Sequence, residues 1–201
     1  RNPFVDHPEY AEYIWDENGL RGTAPTPISS YSGGTSSSSM PDTRKEHQLT
    51  KSLDNLGSFS VCLVSASSTT SGYGAITSKA KSDTLPWYIL STEVDVYNDM
   101  TIMRSYNESD IAFFSVTKES NKYKFVNVAT GKTLYNYVDD THFSIGYDVK
   151  DGISKSEYWN IEASGDGFYL KGDNGVYFTL SSQGTFAGNK NKPSVPTYFY
   201  I

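Results

Sequence analysis

Residues 123–201 read YKFVNVATGKTLYNYVDDTHFSIGYDVKDGISKSEYWNIEASGDGFYLKGDNGVYFTLSSQGTFAGNKNKPSVPTYFYI, and they repeat a pattern that is also visible, more loosely, from Gly72 to Lys118. Each copy closes on a pair of aromatic residues, and an aliphatic residue follows two positions after the pair. The closing segments are Phe113–Val116, Tyr158–Ile161 and Tyr198–Ile201. Their period of roughly 40 to 45 residues lies in the range where a structural repeat should be considered first.

Three short apolar segments precede each closing segment in the same order. The opening segments are Tyr73–Ile76, Tyr123–Val126 and Phe168–Leu170, the second segments are Trp87–Leu90, Thr133–Tyr137 and Val176–Leu180, and the third lie around 101–103, 143–145 and 185–187. They alternate with polar residues, which is typical of strands that bury one face. Three copies of about four short strands predict a mainly β chain with the β-trefoil fold. A β-sandwich would also use such strands, but it gives no reason for the threefold recurrence.

Composition and charge limit the class of protein. The 201 residues are 37% hydrophobic and 20% charged, which is ordinary for a soluble globular protein. The formal net charge of -6 argues against a broad phosphate-binding surface. No apolar run approaches the length that spans a bilayer, so we expect no membrane span.

The single cysteine, Cys62, excludes a disulfide within the chain. It lies in the apolar run Val61–Val64, and no histidine is near it in sequence. We therefore expect a buried thiol that packs as a small hydrophobic group rather than a nucleophile.

The N-terminal 18 residues carry the signals of a short helix. Asp6 can cap it, Glu9 completes a capping box, and Pro8 falls in the first turn, where its missing N–H has no cost. Three residues then lie on one face of the helix: Tyr10, Tyr13 and Ile14. Asn18-Gly19 supplies the signal that ends the helix. His7 beside Asp6 could be read as a base or metal ligand, but no further ligand cluster follows, so capping and surface packing is favoured.

The next segment, 19–56, is predicted to be a linker. Gly, Ser, Thr and Pro dominate it from Gly19 to Met40. Leu49, Leu53 and Leu56 then recur at helical spacing, so this part is either a short amphipathic helix or a solvated linker. The expected organisation is a terminal helix at 1–18, a linker at 19–56 and a β-trefoil at 57–201.

The run Asn2-Pro3-Phe4-Val5-Asp6-His7-Pro8 resembles the C-terminal end of secreted endonuclease I family nucleases, most closely their Bacteroidetes members. The resemblance covers about the first 15 residues. It implies an upstream ββα-metal nuclease domain with a histidine general base and Mg²⁺. Because the family's catalytic residues lie upstream of this segment, the chain itself is expected to contain no catalytic residue and no cofactor, and Mg²⁺ would belong to the parent nuclease.

The part from Gly57 onward resembles a trefoil domain found at the C-terminus of secreted Bacteroidetes enzymes, with Val64-Ser65-Ala66-Ser67 leading into Ser71-Gly72-Tyr73. Its second copy is most similar to ricin-B-like lectins. Those lectins close each copy with Gln-x-Trp and present an Asp and a stacking aromatic to a sugar. The Gln is absent from all three closings, and only Asp95 stands near the expected Asp position, which makes galactose binding by the known lectin geometry doubtful.

A glycan could still stack on exposed aromatic side chains. The candidate ligand-binding residues are Tyr135, Tyr137, Tyr147, Tyr177 and Asp95. The alternative, that the tyrosines form ordinary cross-strand pairs, is favoured. The acidic residues Asp139, Asp140, Asp148 and Asp151 lack the oxygen spacing of a calcium loop, so solvated loops are expected there and no metal site.

The leading hypothesis is that the chain is the C-terminal, non-catalytic part of a secreted endonuclease I-like nuclease, extracellular or at the cell surface and monomeric. Its trefoil would serve glycan or surface binding, and nucleic acid would be bound only through the nuclease domain. Because the chain starts at Arg1 without a signal peptide, we expect a processed protein or a fragment. One alternative is a free-standing carbohydrate-binding trefoil, and another is a purely structural spacer.

Overall fold

The computed structural model of the protein describes residues 43–54, 56–66, 72–140, 142–149 and 151–201. Within these residues the chain forms strands and two short 3₁₀ turns, at Leu56–Ser58 and Glu108–Asp110, and no α-helix. None of the helical turns in this part of the chain is long and apolar enough to cross a membrane. The prediction of a mainly β protein is confirmed.

The strands follow one another along the chain and are numbered in that order. They are β1 (Glu46–Thr50), β2 (Ser60–Ala66), β3 (Tyr73–Ser82), β4 (Leu85–Tyr97), β5 (Ile102–Ser105), β6 (Phe113–Glu119), β7 (Lys122–Asn127), β8 (Tyr135–Asp139), β9 (His142–Gly146), β10 (Lys155–Ser156), β11 (Trp159–Ser164), β12 (Gly167–Gly172), β13 (Tyr177–Leu180), β14 (Thr185–Asn189) and β15 (Thr197–Tyr200). The named strands pair antiparallel throughout.

Six strands pair side by side in a closed ring, which we call the first ring. Their order is β2, β6, β7, β11, β12 and β15, and β15 returns to β2 through the partners Phe199 and Leu63. The three closing segments of the sequence supply β6, β11 and β15. A closed ring leaves none of these strands with a free edge for pairing with another molecule.

Large apolar side chains fill the first ring. Phe168 and Phe199 stack with ring centroids 4.7 Å apart, and the fully buried Trp159 donates its indole N–H to the carbonyl of Leu134 at 3.0 Å. The alternation seen in the sequence therefore places every second residue of the ring strands inside.

Three hairpins, β3–β4, β8–β9 and β13–β14, connect successive strands of the ring, and they contact one another. Leu90 of β4 pairs with Thr185 of β14. Gly188 of β14 lies so close to β9 that a Cβ would stand 2.6 Å from the carbonyl oxygen of Phe143. Glycine at this position permits the close approach of the two backbones.

A second ring shares β2 and β15 with the first. It runs through β2, β3, β4, β5, β1 and β15 and encloses its own apolar cluster, which includes Cys62, Val64, Met103 and Tyr200. Because successive side chains of a strand point to opposite faces, Val61 and Leu63 of β2 enter the first core while Cys62 and Val64 enter the second. The predicted burial of Cys62 is confirmed.

Two sequence-based expectations differ from the structure. The opening strand of the first copy is β2, because Val61 pairs with Phe114 of the closing strand, whereas the predicted segment Tyr73–Ile76 begins the long hairpin strand β3. The stretch Glu46–Thr50, predicted to be helix or linker, is a strand, because it pairs with β5 on one side and β15 on the other. The expected helix at 1–18 and the linker up to residue 42 lie outside the described residues.

Candidate functional site

Two of the predicted sugar-stacking residues are buried. Tyr137 is 2% exposed and Tyr147 is 6% exposed. The Tyr147 hydroxyl donates to the carbonyl of Thr77 at 2.7 Å, and its ring stacks on Phe114. The expectation that these two rings are open to a sugar is therefore wrong. Burial raises the pKa of both hydroxyls, for Tyr137 to about 12.

Tyr135 and Tyr177 are half-buried, and each ring faces an ammonium group. Lys155 lies 4.4 Å from the ring centroid of Tyr135, and Lys171 lies 5.4 Å from that of Tyr177. Lys171 is also the cross-strand partner of Tyr177. These contacts favour the alternative hypothesis, in which the tyrosines form ordinary cross-strand pairs.

Asp95 lies at the centre of a polar group near the end of β4. Arg44 donates to its carboxylate at 2.6 Å, and the Tyr97 hydroxyl donates to the same oxygen at 3.1 Å. Arg44 also donates to the Tyr97 hydroxyl at 2.9 Å. The Arg44 hydrogen bond, with smaller contributions from Tyr97 and Tyr106, lowers the pKa of Asp95 below its ordinary value. The carboxylate therefore stays ionised and accepts hydrogen bonds at neutral and mildly acidic pH.

An exposed aromatic ring stands beside this carboxylate. Tyr106 is 70% exposed, and the Arg44 guanidinium lies 4.0 Å from its ring centroid. Its hydrogen bond to Asp95 raises the pKa of the Tyr106 hydroxyl. Arg44 thus holds the ring from one side, and the high exposure leaves ring surface open to solvent. We call Arg44, Asp95, Tyr97 and Tyr106 the Tyr106 patch.

The strands position the members of this patch in a simple way. Asp95 and Tyr97 alternate with the inward-facing Val94 and Val96 and so share the outer face of β4. Across the strand pair, Arg104 of β5 stands opposite Asp95, lies 5.3 Å from the Tyr97 ring centroid and forms an ion pair with Glu46 of β1. Strand β1, absent from the sequence prediction, therefore borders the patch.

A cavity of about 500 Å³ adjoins the patch. Its lining includes Asp95, Glu93 and Tyr73 together with Val94 and Val96. A lining that combines carboxylates, an aromatic side chain and apolar groups is suited to a polyhydroxylated ligand.

A buried histidine lies on the other side of β1. His47, 2% exposed, places Nε2 2.7 Å from a carboxylate oxygen of Glu108, and its ring lies 5.0 Å from that of Phe113. The nearby Cys62 thiol has its pKa raised by burial and then by the charge of Glu108, so it is held as the unreactive thiol. This group ties β1 to the turn at Glu108–Asp110 and offers no nucleophile.

Among the residues that the structure describes, no three His, Cys, Asp or Glu side chains come together in a group that could hold a metal ion. Asp148 forms an ion pair with Lys132 at 2.6 Å, and Asp140 occupies a turn position with φ of 51°.

Known proteins give no guide to the chemistry of this site. No protein-family model, curated protein or solved structure matches the chain.

Proposed function

We propose that residues 57–201 form a β-trefoil, with β1 as an N-terminal addition, and that this domain binds carbohydrate without catalysing a reaction. The first ring supports the trefoil assignment, because each of three copies supplies two ring strands and the hairpin between them. Mutual contacts among the three hairpins support it further. A closed barrel capped by three hairpins is the arrangement that the threefold sequence pattern predicts.

The Tyr106 patch is the proposed sugar site. A pyranose presents an apolar face of C–H groups that can stack on the exposed Tyr106 ring, while its hydroxyls donate to the ionised Asp95 carboxylate. Arg44 would act as a positioning residue for both. The observation that carries the proposal is the 70% exposure of an aromatic ring that is nevertheless held beside a fixed carboxylate.

The ligand chemistry follows from the charges of the patch. Arg44 of the patch is paired with Asp95, and the neighbouring Arg104 is paired with Glu46. Nearly balanced charge favours a neutral glycan over an anionic one. A single shallow site of this kind binds weakly, so multivalent display is needed to detect it.

The experiment is a multivalent glycan array probed with the full chain and three variants. We expect the wild-type protein to bind neutral glycans, Tyr106→Ala to lose at least about tenfold in signal, and Asp95→Asn to be weakened. Phe59→Ala is the matched control, because Phe59 is an exposed aromatic residue, 52% exposed, outside the patch. A blank array for the wild type, or equal signals for Tyr106→Ala and Phe59→Ala, would contradict the proposal.

The proposal places this domain in a secreted endonuclease I-like nuclease, as its C-terminal accessory part. That placement is supported by the resemblance of residues 1–15, which lie outside the described residues. The Mg²⁺-dependent chemistry would then belong to upstream residues, and this chain is expected to leave plasmid DNA intact in the presence of Mg²⁺. Metal-dependent nicking of the plasmid that disappears in His7→Ala would contradict the expectation that this chain is not catalytic.

A free-standing carbohydrate-binding trefoil predicts the same array result. The two versions differ in the reading frame upstream of Arg1, where a metal-site nuclease domain supports the first version and a signal peptide directly before Arg1 supports the second.

A further inference from the structure

A second cavity, of about 330 Å³, lies at the hairpin β13–β14 and the segment that leads into β15. Apolar groups line it at Leu180 and Val195, and polar side chains line it at Thr179, Asn189 and Asn191. Apolar groups together with a few hydroxyl and amide groups are the usual lining of a site for a small polar organic ligand. We call it the Lys192 pocket, after its charged lining residue.

Lys192 is the only ionisable side chain among the described residues that line this pocket. Its ammonium pairs with Glu162 at 2.9 Å, and hydrogen bonding to that carboxylate raises the pKa of Lys192. The two side chains are 40% and 68% exposed, so the pair lies in solvent and contributes little to stability. Lys192 can therefore exchange Glu162 for the carboxylate of a ligand at small cost.

Lys192 also contacts two side chains that lie outside the pocket lining. The Lys192 ammonium lies 4.1 Å from the ring centroid of Tyr169 on β12, and it also interacts electrostatically with Tyr177 on β13. Both tyrosines are half-buried. Neither tyrosine lines the pocket, so a pyranose seated there would be held by the apolar and polar lining groups and by its carboxylate on Lys192.

We infer that the Lys192 pocket is a second carbohydrate site, separate from the Tyr106 patch and selective for a pyranose that carries a carboxylate, such as a uronic acid. The inference rests on the proposed function in treating the domain as a carbohydrate binder, but it uses different residues. The protein would then be bivalent, with a site for neutral sugars at the Tyr106 patch and a site for acidic sugars at the hairpin β13–β14.

The test is a two-dimensional ¹H–¹⁵N NMR titration of the full chain with glucuronate, glucose and acetate in turn. Glucuronate is expected to shift the backbone amides of Thr179, Asn189, Asn191 and Lys192, while glucose and acetate shift them much less. Equal shifts with acetate would reduce the pocket to a general carboxylate site and overturn the inference. Equal shifts with glucose would overturn the selectivity for acidic sugars.

Two variants separate the lysine from its surroundings. Lys192→Gln should weaken glucuronate binding roughly tenfold, since a charge-assisted hydrogen bond is lost. Lys190→Gln, which removes a neighbouring charge that does not line the pocket, should leave binding unchanged. No glucuronate-induced shift in the wild type, or the same affinity in Lys192→Gln, would overturn the inference.

The proposals for the two sites can be contradicted independently of each other. Neutral glycans that shift Asp95, Tyr97 and Tyr106 while glucuronate leaves the pocket amides unmoved would retain the proposed function and remove the second site. Glucuronate-induced shifts in the pocket without any neutral-glycan response at Tyr106 would retain the Lys192 pocket as a site and remove the proposed sugar site at the Tyr106 patch.

Discussion

Asn136 and Gly172 show how closely single residues of neighbouring copies fit together. The side-chain amide of the fully buried Asn136 donates to the carbonyls of Ser156 and Tyr158 at 3.1 and 3.0 Å. Asn174 in turn donates to the carbonyl of Asn136 at 3.1 Å. Gly172 at the end of β12 leaves the space in which the Asn136 side chain lies, so this contact locks β8 against β12.

Replacing Gly172 by alanine should destabilise the fold. The new Cβ would stand 2.1 Å from Cγ of Asn136, so the buried amide would have to move away from its partners. We expect a loss of about 1–3 kcal/mol in the free energy of unfolding, measured by urea denaturation. Gly72→Ala is the control, because no atom lies within 4 Å of its added Cβ, and it should change stability by less than about 0.5 kcal/mol. Equal urea midpoints for the two variants would show that the contact is not tight.

The buried tyrosines make stability depend on alkaline pH. The pKa of Tyr137 is about 12 in the folded chain, whereas an unfolded tyrosine titrates near its ordinary value of about 10. Between these values the unfolded state binds fewer protons, so the free energy of unfolding falls as pH rises, by up to about 1.4 kcal/mol per pH unit for this residue. Burial raises the pKa of Tyr147 and Tyr200 in the same direction.

Tyr137→Phe should therefore lose stability less steeply than the wild type above pH 10. Urea unfolding at pH 7, 9, 10.5 and 11.5 measures the two slopes. Below pH 9 the slopes should coincide, because Tyr137 keeps its proton in both states there. Parallel curves from pH 10 upward would mean that Tyr137 is not protected from ionisation.

Part of the candidate site could be predicted from single residues. The sequence points to Asp95, because Val94-Asp95-Val96 offers an Asp near the place that the resemblance to ricin-B-like lectins implies, and Tyr97 can be added, since residues two apart share a strand face. Arg44 gave no such signal, because it reaches Asp95 from 51 positions away. The sequence cannot separate the buried Tyr137 and Tyr147 from exposed stacking candidates, because a tyrosine suits a barrel surface and a buried site equally well.

At the scale of elements, β1 and β2 explain where sequence patterns succeed and fail. Strands with one buried face show a clear alternation of apolar and polar residues, and this alternation locates the second and third copies in the sequence. Strand β2 is buried on both faces, so its continuous run Val61–Val64 carries no alternation to identify the ring strand. Strand β1 follows a segment rich in Ser and Pro, and its single leucine, Leu49, lies at helical spacing from Leu53 and Leu56, which come after the strand.

Gln48→Pro should test β1 directly. Gln48 donates to the carbonyl of Ile201 at 3.0 Å and accepts from the Ile201 N–H at 2.9 Å, in a strand with neighbours on both sides. Proline removes the donor and should cost about 3 kcal/mol or more in thermal or urea unfolding. Gln48→Ala keeps the backbone bonds and should be nearly neutral. If both variants unfold like the wild type, Glu46–Thr50 is a linker after all.

At the scale of the whole molecule, charge decides between nucleic acid and glycan as ligand. The net charge is -6, and several lysines of the described surface are paired with carboxylates, as Lys122 is with Asp173 and Lys124 with Glu157. Few phosphates could be neutralised by such a surface. The domain therefore suits a ligand held by stacking and hydrogen bonds.

Duplex DNA should accordingly bind the full chain only weakly, with a shallow dependence of log K on log salt concentration. Fluorescence anisotropy with a labelled duplex from 50 to 200 mM salt, roughly the range over which counterion release is most visible, measures both quantities. Tight binding with a steep negative slope would identify a phosphate-binding surface and remove the argument for a glycan.

The most direct measurement of the central claim is a ¹H–¹⁵N NMR titration of the full chain with the neutral glycan that gives the strongest array signal. The account predicts saturable shifts at the backbone amides of Asp95, Tyr97 and Tyr106, and their loss in Tyr106→Ala but not in Phe59→Ala. Saturable shifts that leave these three amides unmoved, or no shift with any neutral glycan, would contradict a carbohydrate site at the Tyr106 patch.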